Sequence, residues 1–345
     1  MVSLAPRPCA YVWSRSRPDR PPSAPPGDGD IWSGYDRKGP LLRIRKAHSA
    51  ATLGLAALVL VTGTAVGGAH AATPKTPAGV QAAAVTRLIA VDGTANFRDI
   101  GGYRTYDGAT VRTGVVYRSE ALNKVTAAGV TKMQSLRLSG IVDFRTSAEI
   151  GANGPDKVPA GVPDTNLPIS DGGYLQTLYA VVNSRDPVRQ QAMLGDGKAA
   201  QMMLTMYRSF VSDPATRAQF AATARGIANG AVSLYHCSAG KDRTGWMTAI
   251  LLTAVGVPQT TVDGDYLLSN QNLKAGNDAL KQQLLAGGLM QHPELLDPLL
   301  TVDQSYIDAA RAEATAEYGS FGRDLLDGLG LDVPTLAKLR QRLVG

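Results

Sequence analysis

A cysteine and an arginine flank a short polar loop between two apolar segments of the sequence. Ala231–Tyr235 is apolar and favours a β-strand, and Trp246–Val255 is long and apolar enough for a buried helix. Between them His236–Gly245 reads HCSAGKDRTG. A loop between a strand and a helix directs its backbone N–H groups to the positive end of the helix dipole. The pattern therefore predicts an anion site suited to phosphate.

Cys237 opens this loop and Arg243 closes it, so both can face one bound anion. A helix N-terminus and a nearby cation favour the thiolate, which is the nucleophilic form of cysteine. The planar guanidinium of Arg243 can bind two phosphoryl oxygens at once. Gly240 and Gly245 let the backbone approach the anion closely. We therefore predict that Cys237 attacks a phosphoryl group that Arg243 holds.

Residues His236 to Thr244 fit the pattern HCxxGxxR[ST], so the loop resembles the signature of the cysteine-dependent protein tyrosine phosphatases. The fuller HCxAGKDRTG is similar to a secreted bacterial branch that acts on phosphotyrosine, on phosphoserine or phosphothreonine in some members, and on phosphoinositides. A second segment, Asn96–Tyr103, resembles the NFRD[LI]GG[YI] segment upstream of the loop in that branch. The resemblance implies the phosphatase fold and a cysteinyl-phosphate intermediate, with no metal or organic cofactor.

The other residues of the loop are predicted to bind the substrate. Position alone indicates that the Thr244 hydroxyl hydrogen-bonds the Cys237 sulfur and stabilises it as a leaving group. The remaining predicted substrate-binding residues are His236, Ser238, Ala239, Gly240 and Lys241.

Protonation of the leaving oxygen requires an acid. In many tyrosine phosphatases the acid is an aspartate on a separate mobile loop, which makes Asp164 or Asp171 a candidate here. The bacterial branch that this chain resembles uses an aspartate inside the phosphate loop, and Asp242 occupies that position. The like charge of a bound phosphate favours the protonated donor form. We favour Asp242, with the other two as alternatives.

Lys241 is informative about the class of substrate. Cysteine-dependent phosphoinositide phosphatases also carry a lysine at this loop position, and a second cation there suits an inositol ring with several phosphates. Ser238 stands where strongly lipid-directed members carry another lysine. The expected partner is therefore a phosphorylated protein or a phosphoinositide. Two further alternatives are a sulfurtransferase and a catalytically silent binder of phosphorylated ligands.

Strands and helices alternate ahead of the loop. Thr126–Leu138 has helical spacing with Thr126 as N-cap, and Gly140–Arg145 indicates a short buried strand. The order predicts an α/β fold with a central, mostly parallel sheet flanked by helices and the loop at the carboxyl end of a central strand. Asp143 and Arg145 are interpreted as a structural pair rather than as catalytic residues.

Helices are also predicted on both sides of the loop. Gly173–Val182 and Val188–Met206 indicate helices that the resemblance places as a lid over the site, although they could simply pack on the sheet. Tyr207–Ala228 indicates one amphipathic helix. After the loop, further helices are predicted over Pro258–Asn270, Leu273–Leu285, Val302–Tyr318 and Val333–Leu343. The acidic residues Asp263, Asp265 and Glu313 are interpreted as solvated helix faces.

The first 85 residues differ in composition from the rest. Residues 1–40 are rich in proline, arginine and glycine, and we expect that translation begins near Leu41 instead. Residues 41–71 read as a secretory signal peptide cut after Ala71, with an uncleaved anchor over 49–69 as the alternative. Residues 72–85 indicate a flexible linker and 86–345 a phosphatase domain. We therefore expect a secreted protein without a stable membrane span.

Charge and cysteine use agree with export. Residues 1–71 hold nine of the 35 basic and four of the 29 acidic residues, which leaves the remainder nearly neutral and gives no support for nucleic-acid binding. Of the two cysteines, Cys9 falls in the leader, so Cys237 has no partner for an internal disulfide. His236 and His292 are the only histidines after residue 71, so a metal site of histidine and cysteine ligands is not expected.

Overall fold

A computed structural model describes residues 87–345, and these contain a five-stranded sheet. Along the sheet the strands follow the order β1-β2-β5-β3-β4, with β1 antiparallel to β2 and every other pair parallel. The predicted α/β fold with a mostly parallel sheet is confirmed. The strands are β1 (Arg98–Asp99), β2 (Tyr117–Ser119), β3 (Ile141–Asp143), β4 (Asp164–Asn166) and β5 (Leu234–His236).

Helices precede, connect and follow the parallel strands. Up to the last strand they are α1 (Ala127–Ser135), α2 (Ser147–Asn153), α3 (Tyr174–Ser184), α4 (Pro187–Leu194), α5 (Lys198–Ser212) and α6 (Pro214–Ala228). After it follow α7 (Arg243–Ala254), α8 (Gln259–Ala286), α9 (Asp297–Leu300), α10 (Gln304–Tyr318), α11 (Phe321–Arg323) and α12 (Val333–Leu343). Short 3₁₀ turns lie at Leu122–Lys124 and Pro293–Leu296, and a π turn lies at Asp324–Gly328.

The register of the sheet aligns the carboxyl ends of the parallel strands. Ser119 of β2 and Asp143 of β3 are both paired with His236, the last residue of β5. Because β5 is central, the loop that follows it leaves the sheet between two neighbouring strand ends. The phosphate-loop sequence therefore lies at the carboxyl end of a central strand, as predicted.

The two faces of the sheet pack against separate groups of apolar side chains. Val142 and Tyr235 point into the larger core with helices α5 to α8, whereas Ile141 and Leu234 point into a smaller core that includes Met133 of α1. This alternation follows from the two-residue period of a strand. Helix α7 is buried over most of its length, which fits its nearly continuous apolar sequence.

Three helix predictions were wrong, and the first is the helix over Val188–Met206, which the structure divides into α4 and α5 around Gly197. The predicted helix over Tyr207–Ala228 is broken at Asp213, whose side chain caps α6 ahead of Pro214. Proline is favoured in the first turn of a helix, so this pair starts a helix more readily than it continues one. Conversely, the two helices predicted over 258–285 form the single 28-residue helix α8, despite its internal glycines.

The expected signal peptide and linker lie outside the described residues. Within residues 87–345, no helix combines the length and the apolar character that crossing a membrane requires.

Candidate active site

The loop from Cys237 to Asp242 connects β5 to the first turn of α7, which begins at Arg243. Gly240 has a φ of +65°, and a Cβ atom there would lie 2.4 Å from the Ser119 carbonyl oxygen and from the Glu120 nitrogen. Only glycine fits this position, because side-chain carbon atoms do not approach backbone so closely. Packing against β2 therefore fixes the curvature of the loop.

A cavity of about 100 Å³ lies above this loop. Six of the predicted loop residues line it: Cys237, Ser238, Ala239, Lys241, Asp242 and Arg243. The other three predicted loop residues, His236, Gly240 and Thr244, lie outside the wall of the cavity. The Cys237 residue is only 2% exposed, and Arg243 is 5% exposed. The structure thus brings the predicted nucleophile, the predicted acid and the arginine to one small cavity.

Glu149 of α2 holds the guanidinium of Arg243, and the sequence had not suggested it. Nη1 of Arg243 donates to Oε2 at 2.8 Å and Nη2 to Oε1 at 2.5 Å, and the Ser238 hydroxyl also donates to Oε1. Although burial opposes ionisation, the hydrogen bonds and charge of Arg243 lower the pKa of Glu149 to about 2. Burial would lower the pKa of Arg243, but the Cys237 sulfur and Glu149 raise it above its usual value.

Asp242 is held from two sides. The Lys241 ammonium lies 2.8 Å from Oδ2 and also donates to the Thr301 carbonyl oxygen at 3.1 Å. The Tyr207 hydroxyl donates to Oδ1 at 2.9 Å from α5. Asp242 therefore has one position in the cavity wall, and Lys241 is already engaged by protein groups.

The two alternative acids are placed differently. Asp171 lines the cavity, but both of its carboxylate oxygens accept backbone hydrogen bonds at the start of α3, from Gly173 and Leu175. Asp164 lies in β4 outside the wall of the cavity. This geometry leaves Asp242 as the better placed of the three.

The upstream Asn96–Tyr103 segment supports the loop from behind. Asn96 donates to the Gly240 carbonyl oxygen at 3.0 Å, and Arg118 of β2 donates to the same oxygen at 2.9 Å. Arg98 binds the Asn96 side chain. The two sequence motifs therefore meet in the folded chain, and the first one holds the backbone of the second.

Asp265 of α8 was predicted to be solvated, and this was wrong. It is 1% exposed and lies 3.3 Å from Arg98 and 2.7 Å from Arg118, and it also accepts a hydrogen bond from Tyr103. Burial would raise its pKa, but the two guanidinium groups lower it to about 2. A buried carboxylate requires such partners. Asp263, two residues earlier, pairs with Arg311.

His236 belongs to a buried charge cluster rather than to the cavity wall. Its Nε2 lies 3.2 Å from Asp156, and Arg145 is paired with both Asp143 and Asp156. The pair Asp143 and Arg145 is therefore structural, as predicted. The oxygens of Asp143 and Asp156 come close enough to His236 to hold a metal ion, but the Arg145 cation already occupies both carboxylates.

The predicted hydrogen bond from Thr244 to the sulfur is not formed in this structure. The Thr244 hydroxyl is buried and has no hydrogen-bond partner among the described residues. Its place in the first turn of α7 puts it beside the loop, but outside the wall of the cavity.

Much of the remaining wall is apolar. Leu175 and Leu178 come from α3, and Leu280 and Leu284 come from α8. Met206 of α5 and Leu300 of α9 also line the cavity. The cavity is thus polar at its floor and apolar above it.

Sequence comparisons agree with this geometry. Residues 89–345 match the tyrosine phosphatase family. A protein of Cupriavidus necator, provisionally named a tyrosine-protein phosphatase, is 34% identical over 273 residues, covering 78% of this chain and 93% of that protein. The triple specificity protein phosphatase PtpB of Mycobacterium tuberculosis is 29% identical over 274 residues, covering 73% of this chain and 98% of that protein.

The chain belongs to the tyrosine phosphatase family. It is a phosphoric monoester hydrolase, and the cysteinyl-phosphate mechanism of the family fits the loop, the cysteine and the arginine described above. The sulfurtransferase alternative is thereby set aside.

Proposed function

We propose that Cys237 is the nucleophile, Arg243 the phosphoryl-binding residue and Asp242 the general acid of a protein tyrosine phosphatase. The observation that carries the proposal is that these three side chains line one cavity at the amino end of α7. Backbone N–H groups at a helix N-terminus and the Arg243 fork are suited to three equatorial phosphoryl oxygens.

In the first step the Cys237 sulfur forms a bond to phosphorus while the bond to the ester oxygen breaks. Asp242 gives its proton to that oxygen, so the alcohol leaves neutral and Asp242 becomes a carboxylate. In the second step a water molecule attacks phosphorus, gives a proton to Asp242 and releases the sulfur as a thiolate. Inorganic phosphate is the product, and the enzyme returns to its starting state.

The test is phosphate release from a phosphotyrosine peptide by the wild type and by Cys237→Ser, with acid-quenched peptide mapping of the enzyme. We expect release only by the wild type, and a phosphate adduct on Cys237. Phosphate binding without release by the wild type would support the silent-binder alternative. An adduct on any other residue would remove Cys237 from its role.

Phosphoserine, phosphothreonine and phosphoinositides form the second candidate substrate class. The apolar upper wall favours it, as does similarity to a relative named for triple specificity. Lys241→Gln is expected to lower hydrolysis of a phosphoinositide with several phosphates more than that of a phosphotyrosine peptide. Equal loss on both would mean that Lys241 only supports Asp242 and does not select lipids.

We also propose that the protein is exported, on the evidence of the apolar run and small residues in 41–71. Mass spectrometry of protein recovered from the culture medium is expected to give an amino terminus at Ala72. Recovery only with the membrane fraction, with residues 49–69 intact, would support the uncleaved anchor.

A further inference from the structure

Two buried tyrosine hydroxyls form a chain that starts at Asp242. The Tyr207 hydroxyl lies 2.9 Å from Oδ1 of Asp242, and the Tyr266 hydroxyl of α8 lies 2.8 Å from that of Tyr207. On its far side, the Tyr266 hydroxyl lies 3.3 Å from the Asp303 backbone carbonyl oxygen. The chain therefore runs from a carboxyl group to an oxygen that can only accept a hydrogen bond.

Both phenols are shielded from water and keep their protons. Tyr207 is fully buried, and Tyr266 is 1% exposed. Burial, together with the charge of Asp242, raises the pKa of each phenol well above its usual value. Each hydroxyl thus contributes one proton to the chain, and each can accept one hydrogen bond.

The chain holds one carboxyl oxygen in both protonation states of Asp242. When Asp242 is ionised, Tyr207 donates to Oδ1 and Tyr266 donates to Tyr207. When Asp242 is protonated on Oδ2, Oδ1 is a carbonyl oxygen that still accepts from Tyr207, and the Oδ2 proton can go to the leaving oxygen. No proton leaves either tyrosine.

We infer that Tyr207 and Tyr266 are positioning residues that hold the Asp242 carboxyl in both of its protonation states. The inference rests on the proposed role of Asp242 as general acid. Tyr207 donates to Oδ1 in either state, and leaving this buried oxygen without its donor would be costly. Lys241 donates to the same oxygen, but its positive charge favours the ionised state.

Dependence on the leaving group separates this role from a purely structural one. The phenolate leaving from 2,4-dinitrophenyl phosphate needs no proton, whereas that leaving from phenyl phosphate does. The ratio of kcat/KM for the two esters in one preparation is independent of how much enzyme is folded. We would measure this ratio for the wild type, Asp242→Asn, Tyr207→Phe, Tyr266→Phe and Tyr306→Phe.

Asp242→Asn is expected to lower kcat/KM about 100-fold for phenyl phosphate and only slightly for the dinitrophenyl ester. Tyr207→Phe is expected to lose about tenfold on phenyl phosphate, again with little change on the activated ester. Tyr266→Phe is expected to act in the same direction, because it removes the hydroxyl that hydrogen-bonds Tyr207 and keeps the Tyr207 proton directed at Asp242.

Tyr306→Phe is the matched control. Its ring packs 5.8 Å from that of Tyr207, but its hydroxyl donates to the Pro298 carbonyl oxygen. We expect an unchanged ratio. If Tyr207→Phe lowers kcat/KM equally for both esters while Asp242→Asn remains selective, the positioning role is wrong but Asp242 is still the general acid. If Asp242→Asn lowers kcat/KM equally for both esters, Asp242 is not the general acid and the positioning role is also wrong.

Discussion

Glu149 and Arg243 form a two-point ion pair inside the cavity, with N–O distances of 2.8 and 2.5 Å, although 94 positions separate them in the chain. Glu149 also caps α2, since its side chain accepts from the Thr146 nitrogen. The same carboxylate therefore caps the start of α2 and orients the guanidinium of Arg243.

Glu149→Gln is expected to lower kcat/KM for phosphotyrosine peptides about 10- to 100-fold, because Arg243 loses a charged partner that fixes its fork. Steady-state kinetics would show both a higher KM and a lower kcat. Glu317→Gln is the control, since Glu317 lies 3.9 Å from Arg217 and is partly exposed. A Glu149→Gln enzyme with wild-type kinetics would mean that the loop alone orients Arg243.

Gly240→Ala is expected to lower activity about 100-fold or more, because the added methyl group would push the loop away from β2 and misplace its N–H groups. Gly276→Ala in α8 is the matched control, as nothing lies within 4 Å of its added Cβ. That variant should keep full activity and gain about 1 kcal/mol at most. Crystal structures and phosphate release would check both; equal activity of the two variants would contradict the prediction.

Asp265→Asn is expected to destabilise the fold by about 3–5 kcal/mol, because Arg98 and Arg118 would keep their charges without a buried counter-ion. Asp263→Asn tests an ion pair on the same helix that is less buried, and it should cost about 1 kcal/mol or less. Urea denaturation at pH 7 measures both. Equal losses in the free energy of unfolding for the two variants would show that Arg98 and Arg118 do not require Asp265 as a buried counter-ion.

Stability should depend on pH through His236. Burial would lower the pKa of His236, but the hydrogen bond and charge of Asp156 raise it to about 9, above the ordinary value of 6.5. The stabilisation is therefore fully present below pH 6.5 and is lost as the pH rises through about 9.

The measurement is the free energy of unfolding of the wild type and of His236→Gln between pH 6 and 10. The difference between the two proteins should be largest at pH 6 and should shrink towards pH 10. His292→Gln serves as the control, since His292 is exposed and pairs only with Glu294. A constant difference across the range would show that folding does not change the pKa of His236.

The sequence predicted those parts of the site that are contiguous in it. Cys237, Asp242 and Arg243 share one loop, and the apolar runs around them specify the strand and helix that hold it. The mostly parallel sheet and the position of the loop followed from the same pattern. These features depend on local spacing, which the sequence displays directly.

Supporting residues from distant helices could not be predicted in this way. Glu149 forms a capping box with Thr146, so the local sequence already accounts for a glutamate at this position. Nothing in that pattern indicates its contact with Arg243. Asp265 and Tyr207 sit within helices whose buried faces are defined only by packing. The break at Asp213-Pro214 did carry a signal, because an aspartate before a proline is a common helix start.

The two helical walls of the cavity differ in how firmly they are anchored. Helix α8 is one unbroken rod that carries Asp265 near one end and Leu284 near the other, so its cavity wall is tied to the ion cluster beneath the loop. Helix α3 instead follows Gly172 and Gly173, both at positive φ, and ends before Arg185, also at positive φ. We therefore expect a substrate too large for the cavity to displace α3 rather than α8.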